Sequence, residues 1–132
     1  MRYLLDTNIC IYIIKRRPEP VLQRFSSTTV GDIAISSVTV YELAYGADKS
    51  NIAEKSRTAL THFLAPLSII PFDEEDAFEA GQIRASLARS GQPIGPYDLQ
   101  IAGQARRRGL VLVSNNLREF ERVDGLRLEN WV

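Results

Sequence analysis

The chain opens on Arg2-Tyr3-Leu4-Leu5-Asp6-Thr7-Asn8, a short apolar run that reads as a buried strand, ended by three residues that favour helix N-caps. The apolar stretch Ile9 to Ile14 then starts a helix, which Pro18 and Pro20 break and restart ahead of Phe25. The same unit recurs along the chain. Ile33-Ala34-Ile35 is a second strand, closed by Ser36-Ser37, which can cap a helix from about Val38 to Lys49. A helix over roughly Ile52 to Leu64 stops at Pro66. Leu67 to Phe72 reads as strand, and Glu74 to Arg89 as a long helix ending near Gly91. Pro96 begins a helix that reaches Arg108 before Gly109, Leu110 to Val113 is a continuous apolar strand, and Leu126 to Leu128 is a last one. Short, wholly apolar strands alternating with helices predict an α/β fold with a central parallel sheet covered on both faces. Ligands in such folds sit at the carboxyl ends of the strands. Asp6, Ser36-Ser37 and Ser114-Asn115-Asn116 are therefore expected on one edge.

The bulk composition narrows the chemistry. At 132 residues, with 45% apolar and 24% charged residues, the sequence reads as one soluble globular domain spanning 1–132. No apolar run approaches the roughly 20 residues of a membrane span. The first carboxylate comes after two leucines, so no signal peptide is expected and a cytoplasmic protein follows. The single cysteine, Cys10, excludes an internal disulfide or a thiolate metal cluster, and the single histidine, His62, excludes any site built on two imidazoles. Chemistry is left to carboxylates, hydroxyls and amides. Sixteen basic residues balance sixteen acidic ones, so no global field draws in nucleic acid. The local runs Lys15-Arg16-Arg17 and Arg106-Arg107-Arg108 suit helix ends, where cations are welcome.

Three carboxylates stand out by position. Glu42 is the only charged residue from Val38 to Ala47 and falls within a mostly apolar arc, so it is expected off the solvated face and paired or metal-bound. A hydrogen bond to backbone or an arginine would satisfy it equally well. Asp98 lies in the first turn of its helix, on the arc of Ile101, Ala102 and Ala105, and the small residues Ala102, Gly103 and Ala105 predict a close approach of this helix to the sheet. For Asp98 or Asp6 alone, helix capping is a sufficient account. Together they are harder to dismiss: each helix places one inward carboxylate near the strand-end edge, and no buried basic partner is evident. Carboxylates gathered in one pocket repel and have raised pKa values unless a cation sits among them. All-oxygen ligands select magnesium or manganese over zinc, and such ions serve phosphodiester hydrolysis.

Leu4-Leu5-Asp6-Thr7-Asn8, Ser37-Val38-Thr39-Val40-Tyr41-Glu42-Leu43-Ala44-Tyr45-Gly46 and Gly95-Pro96-Tyr97-Asp98-Leu99-Gln100-Ile101-Ala102 resemble the PIN-domain ribonucleases, in the order and spacing of the VapC toxins of bacterial type II toxin–antitoxin pairs. The tail, Val113-Ser114-Asn115-Asn116-Leu117-Arg118-Glu119-Phe120 with Gly125-Leu126 and Glu129-Asn130-Trp131, is also similar to theirs, so the resemblance runs the whole length. It implies a three-layer α/β/α PIN-like domain, a magnesium-dependent endoribonuclease (manganese substituting), and a homodimer held in a hetero-oligomer by a cognate VapB-type antitoxin. It implies Asp6, Glu42 and Asp98 as metal ligands that help activate the attacking water. It further implies transfer RNA as substrate, cut in the anticodon region, the initiator among the targets.

One departure matters. Many PIN domains carry a fourth acid near the end of the last core strand, where this chain reads Ser114-Asn115-Asn116. Amides there can hold a water or a phosphate oxygen but add no charge; Glu119, from the following turn, is the alternative. One tightly bound ion, with a second arriving only with substrate, is the expectation. Thr7, Asn8 and Ser114 are expected to orient water or the scissile phosphate, besides capping. Tyr45 and Tyr97 either stack on a base or pack in the core. Lys15, Arg16, Arg17 and Arg106, with the arginines that follow it, are candidates to grip the RNA backbone. The helices bearing Ile9 to Ile14 and Ala59 to Leu64 offer a groove to an antitoxin helix, whose arginine would compete with the metal.

Two rival classes remain at this level. A phosphoacceptor receiver domain also gathers carboxylates at parallel-strand ends, but it needs an acid pair where Asp6 stands alone and a lysine where Asn115 stands. A non-catalytic interaction module would make the carboxylates structural.

Overall fold

The computed structural model describes residues 1–132. Strands β1 (Tyr3–Leu5), β2 (Ile33–Ser36), β3 (Ser68–Ile70), β4 (Val111–Val113) and β5 (Arg127–Glu129) form one sheet in the order β3-β2-β1-β4-β5, with every pairing parallel. Helices α1 (Thr7–Ile14), α2 (Glu19–Ser27), α3 (Ser37–Asp48), α4 (Ala53–Leu64), α5 (Glu74–Arg89), α6 (Pro96–Arg108) and α7 (Leu117–Phe120) connect them.

Side-chain alternation along the strands sorts the helices into two layers. Leu4, Ala34 and Leu112 point into a core shared with Ile83, Leu87, Leu99, Ile101, Ala102 and Phe120 of α5, α6 and α7. Their neighbours Tyr3, Leu5, Ile33, Ile35 and Val113 point into a second core with Ile9, Ile13, Val21, Leu43 and Leu60 of α1 to α4. With both faces covered, the central strands need no polar side, which is why they read as continuous apolar runs. The result is the expected α/β/α architecture. No helix is long and apolar enough to cross a membrane.

The third and last strands differ most from the sequence reading, for local reasons. The third strand is confined to Ser68–Ile70: the Leu67 amide is taken by Leu64 O, and the Phe72 amide donates to Ser37 Oγ at 2.9 Å. The last strand begins at Arg127 because the Leu126 amide closes a turn onto Val123 O.

The small residues of α6 serve a different contact from the one expected of Gly103. A Cβ on Gly103 would lie 2.8 Å from the backbone nitrogen of Ala80, so this glycine seats α6 against α5, while Ala102 and Ala105 face the sheet core. Beside that contact the arginine run is committed to the protein itself. Asp76, fully buried, closes a capping box with Asp73 at the start of α5 and accepts Arg107 Nε at 2.7 Å and Arg108 Nη2 at 3.2 Å. Burial works against its charge, but both arginines and the Asp73 amide hold its carboxyl below the usual range.

Candidate active site

Strand order reverses at β1: the chain winds to β2 and β3 on one side, then returns to β4 and β5 on the other. The crevice between the ends of β1 and β4 is the switch point at which this class of sheet binds ligands. A single residue, Asp6, links β1 to α1 there. Its amide donates to Val113 O at 3.0 Å, and its Oδ1 caps α1 by accepting the Ile9 amide at 2.9 Å. Ser114, the residue just past β4, donates its hydroxyl to Asp6 Oδ2 at 2.5 Å while accepting the Asn116 amide at 2.9 Å. That second bond turns the hydroxyl proton toward Asp6. Asp6 is only 4% exposed; burial raises its pKa, the Ser114 and Ile9 donors pull it back, and the Glu42 charge adds to the rise.

Glu42 reaches the crevice from the second turn of α3. The Thr7 hydroxyl donates to Glu42 Oε1 at 2.7 Å and lies 3.2 Å from Thr39 Oγ1. With one proton per hydroxyl, Thr7 serves Glu42 and buried Thr39 serves Thr7. The arc around Glu42 is less apolar in effect than its sequence suggests: Glu42 is half-buried, and Tyr45 and Gly46 beside it are exposed.

Asp98 arrives from the other layer. Because α6 leads into β4, its N-terminus lies at the carboxyl end of the sheet, and Asp98 sits in its first turn. Gly95 gives that carboxylate room: a Cβ there would stand 3.3 Å from Asp98 Oδ2. The Asp98 pKa is raised to about 6, first by burial and then by the charges of Glu119, Asp6 and Glu42. Glu119 is held in place by Asn116 Nδ2, which donates to its Oε2 at 2.9 Å.

Asp6, Glu42, Asp98 and Glu119 thus act on one another electrostatically, and none of them takes part in a salt bridge. Asp76, with its two arginines, shows how this protein neutralises a carboxylate that it simply needs to bury. The crevice is left negative. No three acids stand close enough to share a single ion as they are placed. Magnesium makes no such demand, since it commonly binds through one or two carboxylates and keeps several waters. An all-oxygen, uncompensated donor set fits that ion and not a nitrogen- or sulfur-seeking one.

Other sequence candidates fall differently. Asn8 is exposed, and Asn115, also exposed, donates to Tyr12 Oη at 2.9 Å. Lys15, Arg16 and Arg17 are exposed at the far end of α1, with Lys15 on the rim of a groove that Glu42 also lines. Arg106 is not brought to the crevice. It lies about 12 Å along α6 from Asp98, paired with Glu79 at 2.5 Å and donating to Asp124 O. Tyr45 and Tyr97 are exposed, not core residues. Tyr41, whose ring lies 5.6 Å from that of Tyr97, was not singled out from sequence, although it precedes Glu42 directly.

Comparison with known proteins places the chain in a family. The PIN domain family profile matches residues 3–126. The chain is 50% identical over 131 residues to the tRNA(fMet)-specific endonuclease VapC of Shigella flexneri, covering 99% of this chain and 98% of that one. It is 50% identical to Ribonuclease VapC2 of Haemophilus influenzae over 100% and 99% of the two chains. In structure it matches a chain of DNA-bound VapBC from Salmonella typhimurium with a TM-score of 0.94 and 48% identity, covering 100% and 99%. Neither the receiver nor the non-catalytic alternative survives this match: the chain belongs to the PIN-domain family and, within it, to the RNA-cleaving VapC toxins.

Proposed function

We propose that residues 1–132 form one magnesium-dependent endoribonuclease unit in which the carboxylates of Asp6, Asp98 and Glu42 hold the ion, one or two of them directly and the rest through its waters, and Glu119 supplies the fourth acid. The observation that carries this reading is the set of mutually repelling, unpaired carboxylates at the switch point, in a protein that pairs Asp76 with two arginines. Held by these carboxylates, a divalent ion would supply an acidified water and charge to offset that of the phosphodiester. Ser114 and the Ile9 amide keep the Asp6 carboxylate oriented, and Thr7 does so for Glu42. Outer hydrogen bonds of this kind fix where ligand oxygens point. Asn116 holds Glu119, and Asn8 and Asn115 offer exposed amides to phosphate oxygens. Lys15, Arg16 and Arg17 offer charge to the RNA backbone.

The relatives named for cleaving initiator transfer RNA, at 50% identity over nearly all of both chains, support that RNA as substrate and the cytoplasm as the place of action. The VapBC complexes among the structural matches support a VapB-type antitoxin as partner; a homodimer of this chain as the form the antitoxin binds is part of the same proposal. The groove between α1, α3 and α4, about 470 Å³, has an apolar floor of Ile11, Ile14, Leu43 and Leu60 and reaches Glu42 at its mouth. It suits an amphipathic antitoxin segment. An antitoxin arginine entering beside Glu42 would supply the positive charge the carboxylates lack and exclude the ion.

Incubating the purified chain with initiator transfer RNA and magnesium tests the proposal. Cleavage should occur, stop with EDTA, and fall by more than about 100-fold in Asp6→Asn and Asp98→Asn, a larger loss than outer-shell changes give. Cleavage undiminished by EDTA or by both substitutions overturns it.

A further inference from the structure

Few large apolar side chains are exposed in this protein, and the tyrosines among them are not scattered. Tyr41 is 58% exposed, Tyr45 61% and Tyr97 39%, while the exposed Val30, Ile52, Ile69 and Phe78 lie on other elements. Tyr41 and Tyr45 are four residues apart on α3, so they share one ridge of that helix, about 6 Å apart along its axis. Lys49, at the end of α3, continues the row, its Nζ 4.9 Å from the Tyr45 ring centroid. Tyr97 meets Tyr41 edge to face, with centroids 5.6 Å apart and hydroxyls 3.4 Å apart. Tyr41 directly precedes Glu42, and Tyr97 directly precedes Asp98. The row therefore starts at the carboxylates and runs away from them, ending on a cation.

We propose that Tyr97, Tyr41, Tyr45 and Lys49 form a stacking track for the unpaired nucleotides beside the scissile bond. Aromatic faces accept any base, because every base presents a π-face, and a terminal cation meets the phosphate that follows. Ring hydroxyls at the tips keep the row wettable when empty, unlike an aliphatic patch built to stay covered. Bases held on the row would pull the strand out of a duplex and leave its backbone beside Glu42 and Asp98. The inference rests on the ribonuclease reading above.

Binding is measured on Asp98→Asn protein, so that RNA stays intact, using a fluorescent single-stranded oligoribonucleotide of about a dozen nucleotides and its blunt-ended duplex. Each of Tyr41→Leu, Tyr45→Leu and Tyr97→Leu should weaken single-strand binding by about 5- to 150-fold, the range found for one lost base stack. The Phe variants should bind as the parent does, and duplex affinity should barely change. In the Asp98-intact protein the Leu variants should raise KM more than they lower kcat. Cross-linking of 5-bromouridine RNA to Asp98→Asn protein with intact tyrosines, mapped by mass spectrometry, should mark Tyr41, Tyr45 or Tyr97. Leu variants that bind and cleave like the parent, or cross-links confined to other residues, overturn the track while leaving the nuclease assignment standing. Loss of self-association in the Leu variants with RNA affinity retained overturns it too, in favour of an interface between copies. If the unsubstituted protein cleaves no RNA, the ribonuclease reading itself has failed, and the track with it.

Discussion

Ser114 carries more of the site than its size suggests. Its hydroxyl is fixed by the Asn116 amide and gives its proton to Asp6, so Ser114→Ala leaves a nearly buried carboxylate oxygen with one donor fewer. Cleavage should fall by about 10- to 100-fold, and stability by about 1 kcal/mol; single-turnover kinetics and urea unfolding read the two separately. Asp98 sets a pH signature of opposite sense to an ordinary surface acid. Its folded pKa, about 6, exceeds that of an unfolded aspartate, so the folded state binds the extra proton. Stability of the metal-free protein should therefore fall as pH rises between about 4 and 6 and level off above. Asp98→Asn should remove that slope, and its melting-temperature advantage over the parent should grow as pH rises from about 4 to 6 and stay constant above. Magnesium should reverse the order at neutral pH by stabilising the parent and not the variant. A parent whose melting temperature ignores both pH in this window and magnesium would contradict the account.

Between elements, the decisive contact is α5 on α6. Gly103 has the Ala80 backbone against it, which no rotamer change can relieve, so a methyl there must push the helices apart. Overpacking of this kind costs about 1–3 kcal/mol, against a helix-propensity gain of about 1 kcal/mol for alanine. Gly103→Ala should lower stability by up to about 2 kcal/mol in urea unfolding. Since α6 also carries Asp98 into the crevice, its cleavage rate should fall as well, more than in an alanine variant at exposed Gly81 of α5.

For the molecule as a whole, two buried carboxylates share a fold and face opposite fates. Asp6 is left to act; Asp76 is bound to Arg107, Arg108 and Gln104 and ties α5 to the end of α6. Asp76→Ala takes one acceptor from each of those groups, which keep Asp73, Glu75 and the Ile70 and Pro71 carbonyls, and should cost about 1–3 kcal/mol, with cleavage per folded molecule unchanged. The folded pKa of Asp76 is depressed, so its contribution is present above about pH 4 and lost as pH falls through the lower folded value. The acid limb of unfolding should therefore shift in Asp76→Ala and stay in place in Asp98→Asn, as circular dichroism along a pH titration would show.

Much of this was legible along the chain because local rules write it there. Apolar runs of three or four residues ended by Asp6, by Ser36 or after Gly109 specify parallel strands and the helices they feed, and strand direction alone puts Asp6, Ser114 and the start of α6 at one edge. What sequence could not give was pairing between distant side chains. Asp76 carries no signal of its own along the chain, and Arg106 to Arg108 read as a cationic helix end; only the packing of α6 on α5 closes Arg107 and Arg108 on Asp76 and Arg106 on Glu79. Tyr45 and Tyr97 read as easily as core as surface, because period and hydrophobicity are the same either way; only the packing of α3 and α6 leaves them exposed. Short-range periodicity determines which elements form and in what order, whereas the charge balance of a crevice is a sum over three dimensions that the order of residues does not contain.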